Sequence, residues 1–250
     1  MATSQSRCGN HLLAALPEDE YARLYPYLSA QPLNKGHIIQ RREQPLRVVF
    51  FPDDALVWLV NPTEDGSNAQ VAMVASEGLV GVEAVFGSRL AMSDAVVHMT
   101  GANAGVALSV DVFRRELERR GALYTLAQQY AGALVQSLTQ WVACSALHSA
   151  EQRCCRWLLE VEARIGRPEL SVTHELLSDL LGLRRSTVTL IVGRLQELGI
   201  VSTNRGVIRI HDQQALEEHS CECHKLVTTL FEEQTSSDER SVTAEHHPLV

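Results

Sequence analysis

Residues 171–210 constrain the chain most. Thr173 is placed to cap a helix carrying Leu176, Leu177, Leu180 and Leu181. Gly182 then breaks that helix, where a tight turn favours a residue without a Cβ. A second helix is expected from about Arg184 to Leu198, closed by Gly199. Two short helices joined by a glycine-containing turn are the helix-turn-helix signature. On the second helix, Val188, Ile191, Val192, Leu195 and Leu198 share one face, which should form a domain core. Ser186, Thr189, Leu190, Gly193, Arg194 and Glu197 share the other. Arg185 flanks the core face at the first turn, on a side chain long enough to swing outward.

The outward face suits duplex DNA. An Arg fork matches guanine O6 and N7, and Leu190 could touch a thymine methyl. Ser186 and Thr189 can reach bases or phosphates, and Gly193 would let a sugar-phosphate backbone come close. After Gly199, two short strands flank Asn204-Arg205-Gly206, which reads as a β-hairpin wing with Arg205 at its tip. The residues expected at DNA are Thr173, Arg184, Arg185, Ser186, Thr187, Thr189, Leu190 and Arg205. The blander reading, a helical core segment with a solvated Arg face, leaves the wing unexplained.

Charge supports the same conclusion, but only locally. The 250 residues carry a net charge of −8, which by itself argues against nucleic acid. The balance is −3 over residues 1–148, +1 over 149–216 and −6 over 217–250. Within 184–209 stand five Arg (184, 185, 194, 205 and 209) against Glu197 alone, a local +4.

Residues 11–30 read as one or two short helices. From about 32 to 110, short apolar segments such as Val48–Phe51, Val57–Val60, Val71–Val74 and Val96–Met99 alternate with turn residues. That spacing predicts a small antiparallel barrel or sandwich, with Asn61–Gly66 as a hairpin connection. Asp111 is expected to cap a short helix through Arg120, ended by Gly121. A helix from about Ala122 to Leu147 follows. Its residues Leu123, Leu126, Tyr130, Leu134, Leu138 and Trp141 fall 3 or 4 apart, a coiled-coil-like seam. Leu126, Tyr130, Leu134, Leu138 and Trp141 are therefore the expected dimer contact; the alternative packs this face on the chain's own barrel. Ser149-Ala-Glu-Gln152 matches a capping box, and the next helix should run to Ile165, with Cys154, Trp157, Leu158 and Val161 on its core face. The acidic, polar stretch from 234 to 250 is expected to be disordered.

Other chemistry finds few residues to carry it. No apolar run approaches the ~18–20 residues of a membrane span, and no signal-peptide core is visible, so a cytoplasmic location is expected. The six cysteines then read as free thiols. An iron–sulfur cluster needs about four ligands near the sensor half, and only Cys8 lies there. Cys221-Glu-Cys223-His224 lacks a second ligand pair at usable spacing, so no metal and no cofactor are expected. His37 and His98 stand alone, without a metal-binding set or a haem partner. No nucleophile elbow or phosphate-cradling loop appears, so an enzyme reading has no residues behind it.

These features together resemble the Crp/Fnr family of bacterial transcription regulators, over roughly residues 11–225. The most specific stretches are Leu180-Leu-Gly-Leu-Arg-Arg-Ser-Thr-Val-Thr189, Leu195-Gln-Glu-Leu-Gly-Ile-Val201 and Asn204-Arg-Gly-Val-Ile208. The ending Cys221-Glu-Cys-His224 looks like one seen in a subgroup of the family. The resemblance implies an α+β chain. A β-roll sensor of the cyclic-nucleotide-binding type would occupy 11–120, a dimerisation helix 121–148 and a winged helix-turn-helix 149–225. It implies a homodimer on a palindromic operator, a base-reading role for Arg185, and RNA polymerase as a further partner. It also implies a test of the sensor, because cyclic-AMP-binding members carry a Gly-Glu-Leu-type turn and a downstream Arg. Here Val82 falls at the Glu position and Met92 at the Arg position. A buried phosphate without a cation is costly, so little or no cyclic nucleotide binding is expected. Glu83 or Arg89 would substitute if the register differs by a few residues. Two alternatives remain at this stage: a cyclic-nucleotide-controlled regulator, and an interaction module that has left DNA.

Overall fold

The computed structural model describes residues 8–64 and 68–235, with side chains as far as Phe231. Asn10 starts the fold. Its side chain caps α1 (His11–Ala14) by accepting from Leu13 N–H at 3.2 Å, and its amide donates to the Pro52 and Gly78 carbonyls at 2.8 Å each. Helix α2 (Glu18–Leu24) follows, with Glu18, Asp19 and Glu20 in its first turn, where the helix dipole favours negative charge.

Seven strands build the expected β-roll: β1 (Ser29–Ala30), β2 (Ile38–Gln40), β3 (Val48–Pro52), β4 (Ala55–Pro62), β5 (Asn68–Val74), β6 (Asp94–Thr100) and β7 (Gly105–Ser109). They form two antiparallel sheets, in the orders β1-β7-β3 and β2-β6-β4-β5. A 3-10 turn, Val82–Phe86, lies between β5 and β6. Part of the connection first read as a turn is strand: Asn61 and Pro62 belong to β4, while residues 65–67 lie outside the described residues.

Strand β4 explains why this region reads as continuous apolar runs. Ala55, Val57 and Leu59 point into the roll, whereas Leu56, Trp58 and Val60 point the other way, into a second core. A sheet covered on both faces has no polar side to show.

Helix α3 (Val110–Glu118) corrects the expected cap. Its N-cap is Ser109 rather than Asp111, and no side chain bonds the cap. The left-handed residue behind it is Arg120, φ 53°, not Gly121. Gly121 serves another need. Glu20 accepts from the N–H groups of Ala122 and Leu123 at 2.8 and 3.1 Å, and a Cβ on Gly121 would collide with that carboxylate.

Helix α4 (Ala122–Leu147) has the expected bounds, but its expected dimer seam faces inward. Tyr130 and Leu134 are buried in the roll core, and Leu126 and Leu138 pack against it half-buried. Trp141 packs against the second core, under the Arg156 guanidinium. The seam therefore contacts the chain's own sheets, because those sheets offer the nearest apolar surface. Another stripe of α4 stays exposed: Thr125, Gln128, Gly132, Val135, Thr139, Val142 and Ala146.

The Ser149 capping box starts α5 (Ala150–Ile165), and Gly166 ends it at φ 65°. One core face was expected; the helix is buried nearly all round. Cys155 and Leu159 are buried beside Cys154, Trp157, Leu158 and Val161. Several of its polar side chains find partners inside. Trp157 Nε1 donates to Gln70 Oε1 at 2.7 Å, Arg156 pairs with Glu160 at 2.8 Å, and Arg164 pairs with Glu77 at 3.2 Å. Trp157 also meets Trp58 edge-on at 6.1 Å, and Trp58 stacks on His98 at 3.4 Å. The helical half of the chain is thus seated on the outer face of the β4–β5–β6 sheet.

Strand β8 (Glu169–Leu170), α6 (His174–Leu181), α7 (Arg185–Glu197), β9 (Val201–Asn204) and β10 (Val207–Ile210) complete a winged unit, with the strands ordered β8-β10-β9. Helix α8 (Gln213–Glu218) follows, then α9 (Cys223–Thr235). Helix α9 crosses both expected boundaries, the domain end at 225 and the tail start at 234. Val227 and Phe231, one turn apart, enter the roll core, and the Phe231 ring lies 6.3 Å from Tyr130. The rest of the expected disordered tail, 236–250, lies outside the described residues. Among the described residues no helix is long and apolar enough to cross a membrane.

Candidate nucleic-acid interface

Thr173 caps α6, its hydroxyl accepting from Leu176 N–H at 3.1 Å. Gly182 ends α6 at φ 61°, a conformation that costs any residue with a Cβ. Arg153 fixes the end of the helix by donating to the Leu181 carbonyl at 2.5 Å. The chain then turns into α7 with Arg184 as N-cap residue. Val188, Ile191, Val192 and Leu195 are buried as expected. Leu198 is not. It stands 54% exposed at the C-cap, because the helix ends before its side chain reaches the core.

The outward residues fall on one side of the unit. Arg184, Arg185, Ser186, Thr189 and Leu190 are exposed, and Thr187 is half-buried. Leu190 is 76% exposed. Thr189 Oγ1 lies 3.2 Å from His174 Nδ1, which ties α7 to the start of α6. Burial, and then the nearby Arg185 charge, holds the His174 pKa below its usual value, so the ring favours the neutral form.

The wing turn is a two-residue loop between paired Asn204 and Val207. Arg205 and Gly206 both take positive φ, 45° and 80°, as a type I′ hairpin requires. A Cβ on Gly206 would lie 3.3 Å from Thr173 Cγ2, so the wing tip sits beside the first turn of α6. The wing turn thus lies close to the N-terminus of α6, where free N–H groups and the helix dipole favour an anion.

The local +4 shrinks on folding. Arg194 pairs with Glu151 at 3.1 Å and Arg209 with Glu169 at 3.3 Å, both acids lying outside the 184–209 window. Arg184, Arg185 and Arg205 keep no ion pair among the described residues. Arg184 and Arg185 stand exposed at the start of α7 with Ser186 and Leu190, and Arg205 stands exposed in the wing turn.

In the β-roll, Glu83 is buried, and its Oε1 accepts from Met92 N–H at 2.8 Å and from Gln40 Nε2 at 3.3 Å. The Met92 side chain is 60% exposed. Among the cysteines, the expectation that Cys221 and Cys223 lack a second ligand pair fails. Cys144 and His148 meet them across the fold.

Comparison with known proteins agrees with this geometry. Residues 152–219 match the family model of the Crp-like helix-turn-helix domain. No curated protein matches the chain in sequence. Among solved structures, a Crp/Fnr-family transcriptional regulator from Eubacterium rectale is 17% identical with a TM-score of 0.65, covering 83% of this chain and 96% of its own. FixK2 from Bradyrhizobium japonicum is 15% identical with a TM-score of 0.67, covering 78% and 98%. The c-di-GMP-responsive global regulator CLP from Xanthomonas campestris is 14% identical with a TM-score of 0.63, covering 78% and 100%. The chain thus carries a Crp-like DNA-binding helix-turn-helix domain on the fold of the Crp/Fnr transcription regulators.

Proposed function

We propose that the protein regulates transcription as a homodimer that reads a near-palindromic DNA site, each subunit placing α7 in a major groove. The observation that carries this reading is that Arg184, Arg185 and Arg205 stand exposed and without an ion pair among the described residues, the first two at the start of α7 with Ser186 and Leu190 and the third in the wing turn beside Thr173. Arg185 reads a base, Arg184 and Arg205 hold phosphates, and Leu190 meets an apolar base edge. Thr189 contributes chiefly by fixing α7 to His174. Two half-sites about one helical turn apart, ~34–36 Å, follow from a two-fold dimer.

The dimer contact in this reading is the exposed stripe of α4, not the inward seam. Thr125, Gln128, Gly132, Val135, Thr139, Val142 and Ala146 succeed one another at alternating spacings of 3 and 4, with Val142 72% exposed. Gly132 would let two helices approach closely. RNA polymerase is the further partner of such a regulator. The sensor roll does not take cyclic AMP in this reading, since Glu83 is committed to a backbone N–H and Met92 offers no cation.

The test is in-vitro selection of genomic fragments with wild-type and Arg185→Ala protein in parallel. The expected result is a palindromic motif that the variant blurs at one base pair per half-site. Enrichment of no motif, from pure protein and from lysate alike, would overturn the reading.

A further inference from the structure

We propose that Cys144, His148, Cys221 and Cys223 bind one zinc ion in a closed tetrahedral site that fastens α9 to the end of α4. Cys144 lies in the last turn of α4 and His148 is its C-cap, so at i and i+4 the two share one helix face. Cys221 precedes α9 and Cys223 opens it. Far apart in the chain, the two pairs meet with all four ligand atoms within 4.8 Å of one another.

The distances suit a single ion. With Zn–S near 2.3 Å and Zn–N near 2.0–2.1 Å, a tetrahedron has S···S edges of about 3.8 Å and S···N edges of about 3.5 Å. Cys144 Sγ and Cys221 Sγ lie 3.6 Å apart, and Cys223 Sγ lies 3.5 Å from His148 Nδ1. A disulfide would need the sulfurs at about 2.05 Å. A cluster would place its ligands on separate irons and spread them further. Three cysteines and one histidine are soft donors that select zinc over magnesium or calcium.

The surroundings match a ligand set. His148 turns Nδ1 toward the sulfurs and holds Nε2 3.3 Å from Glu222 Oε1, the carboxylate partner that orients many metal-bound histidines. Gln140 Nε2 donates to Cys223 Sγ at 2.9 Å, a bond that strengthens when the sulfur is a thiolate. The three cysteines are buried, and all four positions come from protein, as in structural rather than catalytic zinc sites. The site stands at the junction where α4 gives way to α5. It would lock α9, with Val227 and Phe231 in the roll core, to the helix that joins the two halves. This inference does not depend on DNA binding.

The experiment uses the full chain, purified with reductant and without chelator from cells grown with added zinc. Elemental analysis should find about one zinc per chain. Cobalt(II) added to the metal-free chain should give the absorption of a tetrahedral thiolate complex. Cys221→Ser and His148→Ala should each lose that spectrum. Glu222→Gln keeps all four ligands and should weaken zinc about tenfold. Wild-type metal content and cobalt spectrum keep the test valid even if a ligand variant fails to fold. Folded wild-type chain with neither zinc nor a cobalt spectrum would overturn the proposal. So would an intact mass showing a Cys144–Cys221 disulfide under reductant, or iron with cluster absorption.

Discussion

The seam between the roll and α5, and the outward face of α7, use the same kinds of side chain to opposite ends. At the seam, Trp157 gives its N–H to Gln70, Arg164 meets Glu77, and apolar Leu56, Trp58 and Met73 disappear into a shared core. On α7 and the wing, Arg184, Arg185 and Arg205 find no carboxylate among the described residues, and Leu190 stays in solvent. The difference teaches where to look for a partner. Charge and apolar surface that folding leaves unspent are what remains for recognition.

The largest expected effect tests the seam. Trp157→Ala removes a fully buried ring and strands the Gln70 oxygen; urea unfolding should show a loss of about 3–5 kcal/mol. A loss below about 1 kcal/mol would mean the two halves are not joined there. A second test of the seam is pH. Burial, aided by Lys35, pushes the pKa of His98 down to about 3 from its usual 6.5. The unfolded chain therefore takes up a proton that the folded one refuses between those values. Stability from this group is full above about 6.5 and falls as pH drops toward 3, on the order of 1 kcal/mol per pH unit. His98→Phe keeps a ring on Trp58 and should flatten the acid limb of a stability–pH curve; an unchanged slope would refute this account.

The α4 stripe comes next. Val142→Glu puts charge on the proposed dimer contact without touching the core, so sedimentation should show monomer at micromolar concentration while far-UV CD is unchanged. Then the two classes of Arg can be set against each other. Arg205→Ala should weaken DNA binding evenly across sequences and reduce the slope of log K against log salt by about 1. Arg209→Ala removes a residue already paired and exposed, and should change stability by about 0.5 kcal/mol or less and the salt slope hardly at all. Equal effects from both would erase the distinction between free and paired guanidiniums.

Local signals in the sequence located the parts that depend on local physics. Thr173, Gly182, Ser149, Gly166 and Asn204–Gly206 are cap and turn residues, and each acts within a few positions of itself. Helix α4 was legible because 26 residues without proline carry a helical apolar period. The outward residues of α7 were legible for the same reason, since a helix face follows from spacing alone. What failed was everything that depends on which surfaces meet. The expected seam at Tyr130 and Leu134 has the right period for a coiled coil, yet the same period suits packing on a sheet. The +4 island lost two members to Glu151 and Glu169, which no window on 184–209 contains.

By itself, then, the sequence determined the succession of short-stranded region, long helix and winged helix-turn-helix, and the face of α7 turned outward, because dihedral preference and side-chain periodicity are properties of neighbouring residues. Only the tertiary structure decided which face of α4 the sheets would cover, that β4 would be buried on both sides, which guanidiniums would stay free, and that Cys144 and His148 would meet Cys221 and Cys223. Those outcomes depend on distances between residues some tens of positions apart or more, and closing such loops is the work of the whole core.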